Sequence, residues 1–419
     1  MTSKEISQPS NKAPRFFYGY VIIAVNFIIL GLSSGLILSF GVFFDPLLEQ
    51  FGWTRTMISG ANSLSSVLSG VLAIAMGGLA DRFGPRLVVT FCGFCLGLGY
   101  FMMSQVNAVW QLYLFYGVLI GIGGGLFVTV LSSIARWFVM RRSLMTGIVV
   151  SGLSIGQLIG PLVISRLIGA HGWRFSCAIL GVAALLIIVL LAQFLRRDPG
   201  KVDQLLGDQI EGKEKNFKST DKDFILKEAY HTKQFWLVTI IFFCTGFTIF
   251  AFIIHIIPNA TKLGISTVTA ANILAVSGGA GIIGNFVLGG IIGDRIGNRK
   301  AFMIGIFLMA VSLFWLVFAR DVWMLYLFAI IFGIGLGCEG TSESPLIARL
   351  FGLGSHGLIY GVVTLSTTVG ASVGPVLIGY MCDVFGNYQL AFLLSAVICV
   401  LGLVLLVILR PTKRRRIEL

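Results

Sequence analysis

Long apolar runs broken by short polar loops set the pattern of this 419-residue chain. Runs of about 20 residues or more, enough to cross a hydrocarbon layer of roughly 30 Å, fall at 17–43, 57–80, 87–107, 110–136, 143–169 and 174–196, and again at 234–258, 268–293, 301–319, 322–349, 356–381 and 388–410. Each run predicts a membrane-spanning helix. Between the two sets lies 197–233, a charged stretch with no apolar periodicity until FILKEAY, which predicts a linker joining two halves. The expected organisation is a tail 1–16, a six-helix bundle 17–196, the linker 197–233, a second six-helix bundle 234–410 and a tail 411–419.

The second half repeats the first. WQLYLFYGVLIGIGGGLF from Trp110 returns as WMLYLFAIIFGIGLGCEG from Trp323, Ala135-Arg136 returns as Ala348-Arg349, and Gly160-Pro161 as Gly374-Pro375. A period near 213 residues means two homologous halves of several helices each, not a solenoid of short units. The fold class is thus all-α, with twelve transmembrane helices in two pseudo-symmetric bundles. Chains built twice within a membrane are most often transporters.

Composition agrees. The chain is 56% hydrophobic and 12% charged, with a mean hydropathy of +0.93, well outside the range of soluble proteins. Fifty-two glycines suit tightly packed membrane helices. Gly117, Gly121 and Gly125, then Gly152, Gly156 and Gly160, recur every four residues and predict smooth faces of the kind that sliding bundles need. The net charge of +13 points to anionic lipid, not nucleic acid, because of its placement. With the N-terminus inside, Lys4, Lys12, Arg15, Arg82, Arg86, Arg136, Arg141, Arg142, Arg295, Arg299, Lys300, Arg349 and the Lys413–Arg416 tail share one side. The positive-inside bias makes that side and both termini cytoplasmic, as in a bacterial inner membrane. Cys92 and Cys95 lie inside an apolar run without a second ligand pair and read as small helix residues, so neither metal nor cofactor is expected.

Two short loops carry the next signal. GGLADRFGPR (Gly77, Asp81, Arg82, Gly84, Arg86) follows the second run, and GIIGDRIGNR (Asp294, Arg295, Gly297) follows the eighth. Glycine permits the tight reversal, Asp can cap a helix amino end, and the cations face lipid headgroups. The same loop at the same place in each half is a strong signal.

The twelve-helix plan and these paired loops resemble the major facilitator superfamily, over about residues 16 to 410. Within it, RWFVMRRSLMTGIVVSG (Arg136 to Gly152) resembles the entry to the fifth helix of monocarboxylate porters, and FFYGYV (Phe16 to Val21) more loosely resembles the start of the first helix there and in oxalate:formate antiporters. The resemblance implies proton-linked or exchange transport of small organic anions by alternating access, with the first, fourth, seventh and tenth helices lining the cavity. The animal-type porters carry an Asp and an Arg in their eighth helix; Gly281 and Asn285 stand there in this chain. A carboxylate would have to be held by neutral donors and helix dipoles.

The tenth run contains Glu339 and Glu343, four apart and so on one helical face. Glu339 lies about 25 Å along from Val322 at 1.5 Å per residue, where an ionised carboxylate is costly. Two carboxylates on one face also repel, so one should hold a proton until a conformation admits water, the property of a proton-coupling site. The plainer reading has Glu343 locked to Arg349, Arg136 or Arg142 and Glu339 facing a wet cavity. Candidate solute contacts are Asn26, Tyr113, Tyr116, Thr245, Thr248, His255, Asn285, Thr364 and Thr367. Tyr116 is the best placed of these because its repeat counterpart is Ala329. Pro258 is expected to end the seventh helix. The expected activity is secondary transport of a small organic solute, with a monocarboxylate as one candidate, by a proton-coupled monomer that is not an enzyme. A proton-driven exporter of amphipathic compounds and a non-transporting sensor are the alternatives.

Overall fold

The computed structural model describes residues 17–199 and 224–409, positions 54, 139, 140 and 386 apart. The tails at 1–16 and 411–419, most of the linker and the cations Lys4, Lys12, Arg15 and Lys413–Arg416 lie outside the described residues. Among the described residues twelve helices are long and apolar enough to cross a membrane: α1 (Gly19–Phe43), α2 (Gly60–Phe83), α3 (Pro85–Met103), α4 (Val109–Trp137), α5 (Arg142–His171), α6 (Trp173–Ala192), α7 (Lys233–Lys262), α8 (Asn272–Ile296), α9 (Asn298–Phe318), α10 (Val322–Phe351), α11 (His356–Cys382) and α12 (Gln389–Ile408). All twelve predicted spans are present, in two six-helix bundles.

Glycine sets how closely these helices approach. In the first bundle Gly156 and Gly160 of α5 lie against the backbone of Gly31 and Gly35 in α1, and Gly117 and Gly121 of α4 lie against α2. The four-residue glycine faces, expected to serve sliding between bundles, therefore pack within one bundle and not between the two. They let the backbones within their own bundle approach closely. The contacts between bundles use other glycines: Gly77 of α2 meets Gly357 of α11, Gly361 of α11 meets Ala73 of α2, and Gly147 of α5 meets the Asn285 carbonyl of α8.

Helix α7 continues through Pro258 to Lys262, against the expectation that the proline ends it. Proline removes one N–H and crowds the carbonyl a turn earlier, but in lipid a helix that stopped there would leave several polar groups unmet. Pro161, Pro345 and Pro375 are carried inside α5, α10 and α11 in the same way. Two wider π-helical stretches, Tyr113–Ile120 in α4 and Gly284–Ile292 in α8, shift the faces of these helices by part of a turn.

The connections α2–α3, α4–α5, α8–α9 and α10–α11 lie on one side, here called the basic side for Arg82, Arg86, Arg141, Arg142, Arg295 and Arg299. Toward that side the inner helices are closed on all faces: Val128 to Ala135 of α4 are all buried, and so is every residue from Gly337 to Phe351 of α10 except Gly340 and Arg349. Toward the other side the same helices, with α5 and α11, alternate between buried and exposed positions. The molecule is sealed on the basic side and looser on the opposite one.

Candidate functional site

The seal is built from the two repeated loops. The Asp81 carboxylate accepts from the backbone N–H of Gly357 at 3.1 Å and of Leu358 at 2.9 Å. Asp294 accepts from the N–H of Ser143 at 2.8 Å and of Leu144 at 3.1 Å. Each loop aspartate thus caps a helix of the opposite bundle, α11 or α5, and not its own. The free N–H groups and positive dipole end of a helix favour an anion there. Arg136 donates to Asp81 at 2.8 Å and also approaches Asp198 at 3.5 Å. Gly84 and Gly297 reverse the chain after each loop at φ +89° and +92°, where a side chain would be strained. The loop cations point elsewhere: Arg86 donates to Gln193 at 2.8 Å, and Arg82 lies over its neighbour Phe83. Arg295 lies in the last turn of the helix that Gly297 ends.

Deeper in α10, Glu339 and Glu343 are 2% and 8% exposed. Their burial follows from small residues. Gly305 of α9 abuts the backbone at Gly335 and Glu339, so α10 sits too close to α9 for the carboxyl to escape to lipid. Tyr360 of α11 donates its hydroxyl to Glu343 Oε2 at 2.8 Å. Among the described residues Glu343 makes no ion pair, and Arg136 is held by Asp81 and Asp198, so the arginine lock considered from the sequence is not formed. Glu339 has Thr245 of α7 and Glu343 as polar neighbours, and its Oε1 is buried without a hydrogen-bond partner.

The structure brings Glu339, Glu343 and Thr245 together and adds Tyr360, with Thr364 one turn further along α11. Asn285, Asn26, Tyr116, Tyr113 and His255 make their contacts elsewhere. Asn285 donates to Ser154 of α5 at 3.2 Å and accepts from Thr341 of α10 at 3.0 Å, a polar chain across the bundles. Asn26 donates to Ser133 at 3.0 Å while its Oδ1 has no partner. Tyr116 is fully buried, its ring 3.9 Å from that of Phe40 and tilted by 33°, and it donates to the Ile37 carbonyl at 3.0 Å. Tyr113 abuts Gly60 of α2. His255 Nε2 bonds the Pro375 carbonyl at 2.9 Å between α7 and α11. Thr248, Thr364 and Thr367 each keep a buried hydroxyl oxygen with no partner.

Tyr360 and His356 were missed from the sequence. The signal was present: His356, Tyr360 and Thr364 recur every four residues on one face of α11. A groove of about 650 Å³ lined by Phe83, Arg86, Leu87, Phe91, Phe94 and Gln193 opens between α3 and α6, remote from this chemistry.

Two bundles of six helices related by repeat, meeting at mirrored aspartate caps and enclosing buried carboxyls, define the class of integral membrane transport proteins. The Major Facilitator Superfamily model matches residues 21–292 and 256–418, and the chain belongs to that family. It is 26% identical over 411 residues to the oxalate:formate antiporter of Oxalobacter formigenes, covering 95% of this chain and 93% of the relative. It is 27% identical over 392 residues to monocarboxylate transporter 13 of Rattus norvegicus, covering 92% and 87%. Both relatives belong to the groups that the sequence motifs resemble. Among solved structures, the human organic anion transporter MFSD10 (TETRAN) shares the fold at a TM-score of 0.74 and 14% identity, over 95% of this chain and 100% of that one.

Proposed function

We propose that this chain is a secondary active transporter of a small organic solute, with a monocarboxylate as the leading class, which works by alternating access and couples to protons through Glu339 and Glu343. The observation that carries the reading is the Glu339 carboxyl, 2% exposed with Oε1 unpartnered, beside a second carboxyl on the same helix. Such a pair does not hold two negative charges in a dry bundle. It takes up a proton when closed and releases one when water enters.

The oxalate:formate and monocarboxylate relatives support the solute class. The loops containing Gly77, Asp81, Arg82, Gly84, Arg86, Asp294, Arg295 and Gly297 act as the gate on the basic side, which the positive-inside bias makes cytoplasmic. The bundles correspond to 17–196 and 234–410, joined by the linker 197–233. Thr248, Thr364 and Thr367 offer neutral donors to a carboxylate. A second reading, export of amphipathic compounds, is favoured by the absence of Lys and Arg from the middle of every span. Purified protein in liposomes, tested for uptake of carboxylates, neutral solutes and organic cations with and without a pH gradient, separates the two. Gradient-driven uptake of a monocarboxylate is expected; gradient-driven movement of organic cations alone overturns the first reading.

A further inference from the structure

The sealed gate contains a titratable group that the coupling pair does not account for. His356, the first residue of α11, is fully buried. Its Nε2 lies 3.1 Å from Ser344 Oγ in α10, and Ser344 Oγ donates to the Leu131 carbonyl of α4 at 3.3 Å. A hydroxyl has one proton to give. Ser344 gives its one proton to Leu131 or to the ring, and in both cases Nδ1 of His356 stays buried with no partner. The contacts run from α11 through α10 into the opposite bundle.

Arg142 of α5 and Arg136 of α4 are the cations acting on the His356 ring. Asp81 of α2 is engaged by the N–H groups of Gly357 and Leu358 next along the chain and by Arg136. On its own helix, Tyr360 stacks on the ring at 5.9 Å and 9°, with its hydroxyl given to Glu343. An imidazolium here would have an N–H with no acceptor and two guanidinium groups as neighbours, in a dry interface. Opening the gate admits water to Nδ1 and separates the ring from the cations of the other bundle.

We propose that His356 is a second proton-binding residue of this transporter, which binds its proton only with the basic-side gate open, so that acid on that side opens the gate while Tyr360 ties the same ring to Glu343. The proposal deepens the proton-coupled reading and rests on it. The sign follows from linkage: the open form binds more protons, so lowering pH through the histidine range favours it.

The test is a distance measured between spin labels on Phe83→Cys and Ser355→Cys, across the α2–α11 contact, in nanodiscs from pH 8 to 5.5. The seven native cysteines are all buried, so the introduced pair takes the label. The longer-distance population should rise with acid by up to about tenfold per pH unit, the limit for one linked proton. His356→Gln keeps a donor for Ser344 but cannot titrate, and should hold the short distance throughout. Ser344→Ala keeps the imidazole but removes its hydrogen-bond partner in the closed form, and should move the opening to higher pH. Asp81→Asn should raise the longer-distance population at every pH, showing that the labels read the gate. Acid opening that persists in His356→Gln, an unmoved midpoint in Ser344→Ala, or a pH-independent wild type beside a more open Asp81→Asn overturns the proposal. Because the distance is read without solute or flux, its failure is distinct from a failure of Glu339 coupling, which only driven uptake reports.

Discussion

Ser344 Oγ donates to the carbonyl of Leu131, a residue 213 positions earlier. That separation equals the repeat offset between the two halves, so two equivalent positions touch where the bundles meet. The pseudo-twofold axis of the molecule therefore passes through the seal on the basic side. Around it stand the paired aspartate caps, themselves 213 apart in sequence, and just beyond it the His356–Tyr360–Glu343 face.

Asp81→Asn tests the seal. The substitution removes the charge that faces both Arg136 and the α11 amino end, in a side chain 11% exposed. A loss of about 2 kcal/mol is expected for charge-assisted bonds of this kind, roughly thirtyfold in a two-state equilibrium. The protein should still reach the membrane, with transport slowed and the basic side accessible to thiol reagents. Unchanged accessibility would show that the cap does not hold the gate.

Two glycine substitutions should differ sharply. Gly156→Leu drives a side chain into the Gly31 carbonyl and Ser34 hydroxyl, whereas Gly278 has nothing within 4 Å of an added Cβ. Overpacking costs about 1–3 kcal/mol, so Gly156→Leu should lower the thermal midpoint in detergent by several degrees while Gly278→Ala leaves it within error. Equal effects would contradict the packing described for α1 and α5.

Much of the fold was legible in the sequence because lipid leaves the chain little choice. Each apolar run had to become a helix, and the recurrence of Asp81 as Asp294 disclosed the duplication. What was not legible depends on partners far along the chain. The loop aspartates read as caps for some helix amino end; only folding shows that they cap α11 and α5 across the interface. Pro258 read as a stop because local propensity ignores the cost of ending a helix within lipid. His356 was passed over at the edge of an apolar run, and Tyr360 among many interfacial tyrosines, although their four-residue spacing with Thr364 marked a common face. The pair Glu339 and Glu343 was legible because a carboxylate in an apolar run has few innocent explanations.

Tyr116→Phe separates a structural from a solute-binding role. Its hydroxyl serves the Ile37 carbonyl, and losing a buried hydrogen bond costs about 1 kcal/mol. A small drop in thermal midpoint with unchanged KM is expected. A raised KM at unchanged stability would return Tyr116 to the solute site.

Thr248→Val should behave in the opposite way. The hydroxyl is fully buried but has no partner, so removing it sacrifices no internal bond. Stability should hold while KM for the transported solute rises severalfold. If KM is unchanged, Thr248 does not contact the solute.

The most direct measurement compares two fluxes for Glu339→Gln in liposomes. The substitution keeps the shape of the side chain and removes its proton. Uptake driven by a pH gradient should be abolished while exchange of labelled for unlabelled solute continues at a rate near wild type. Driven uptake at the wild-type rate would contradict the account, because the proton would then cross without the carboxyl around which the mechanism is built.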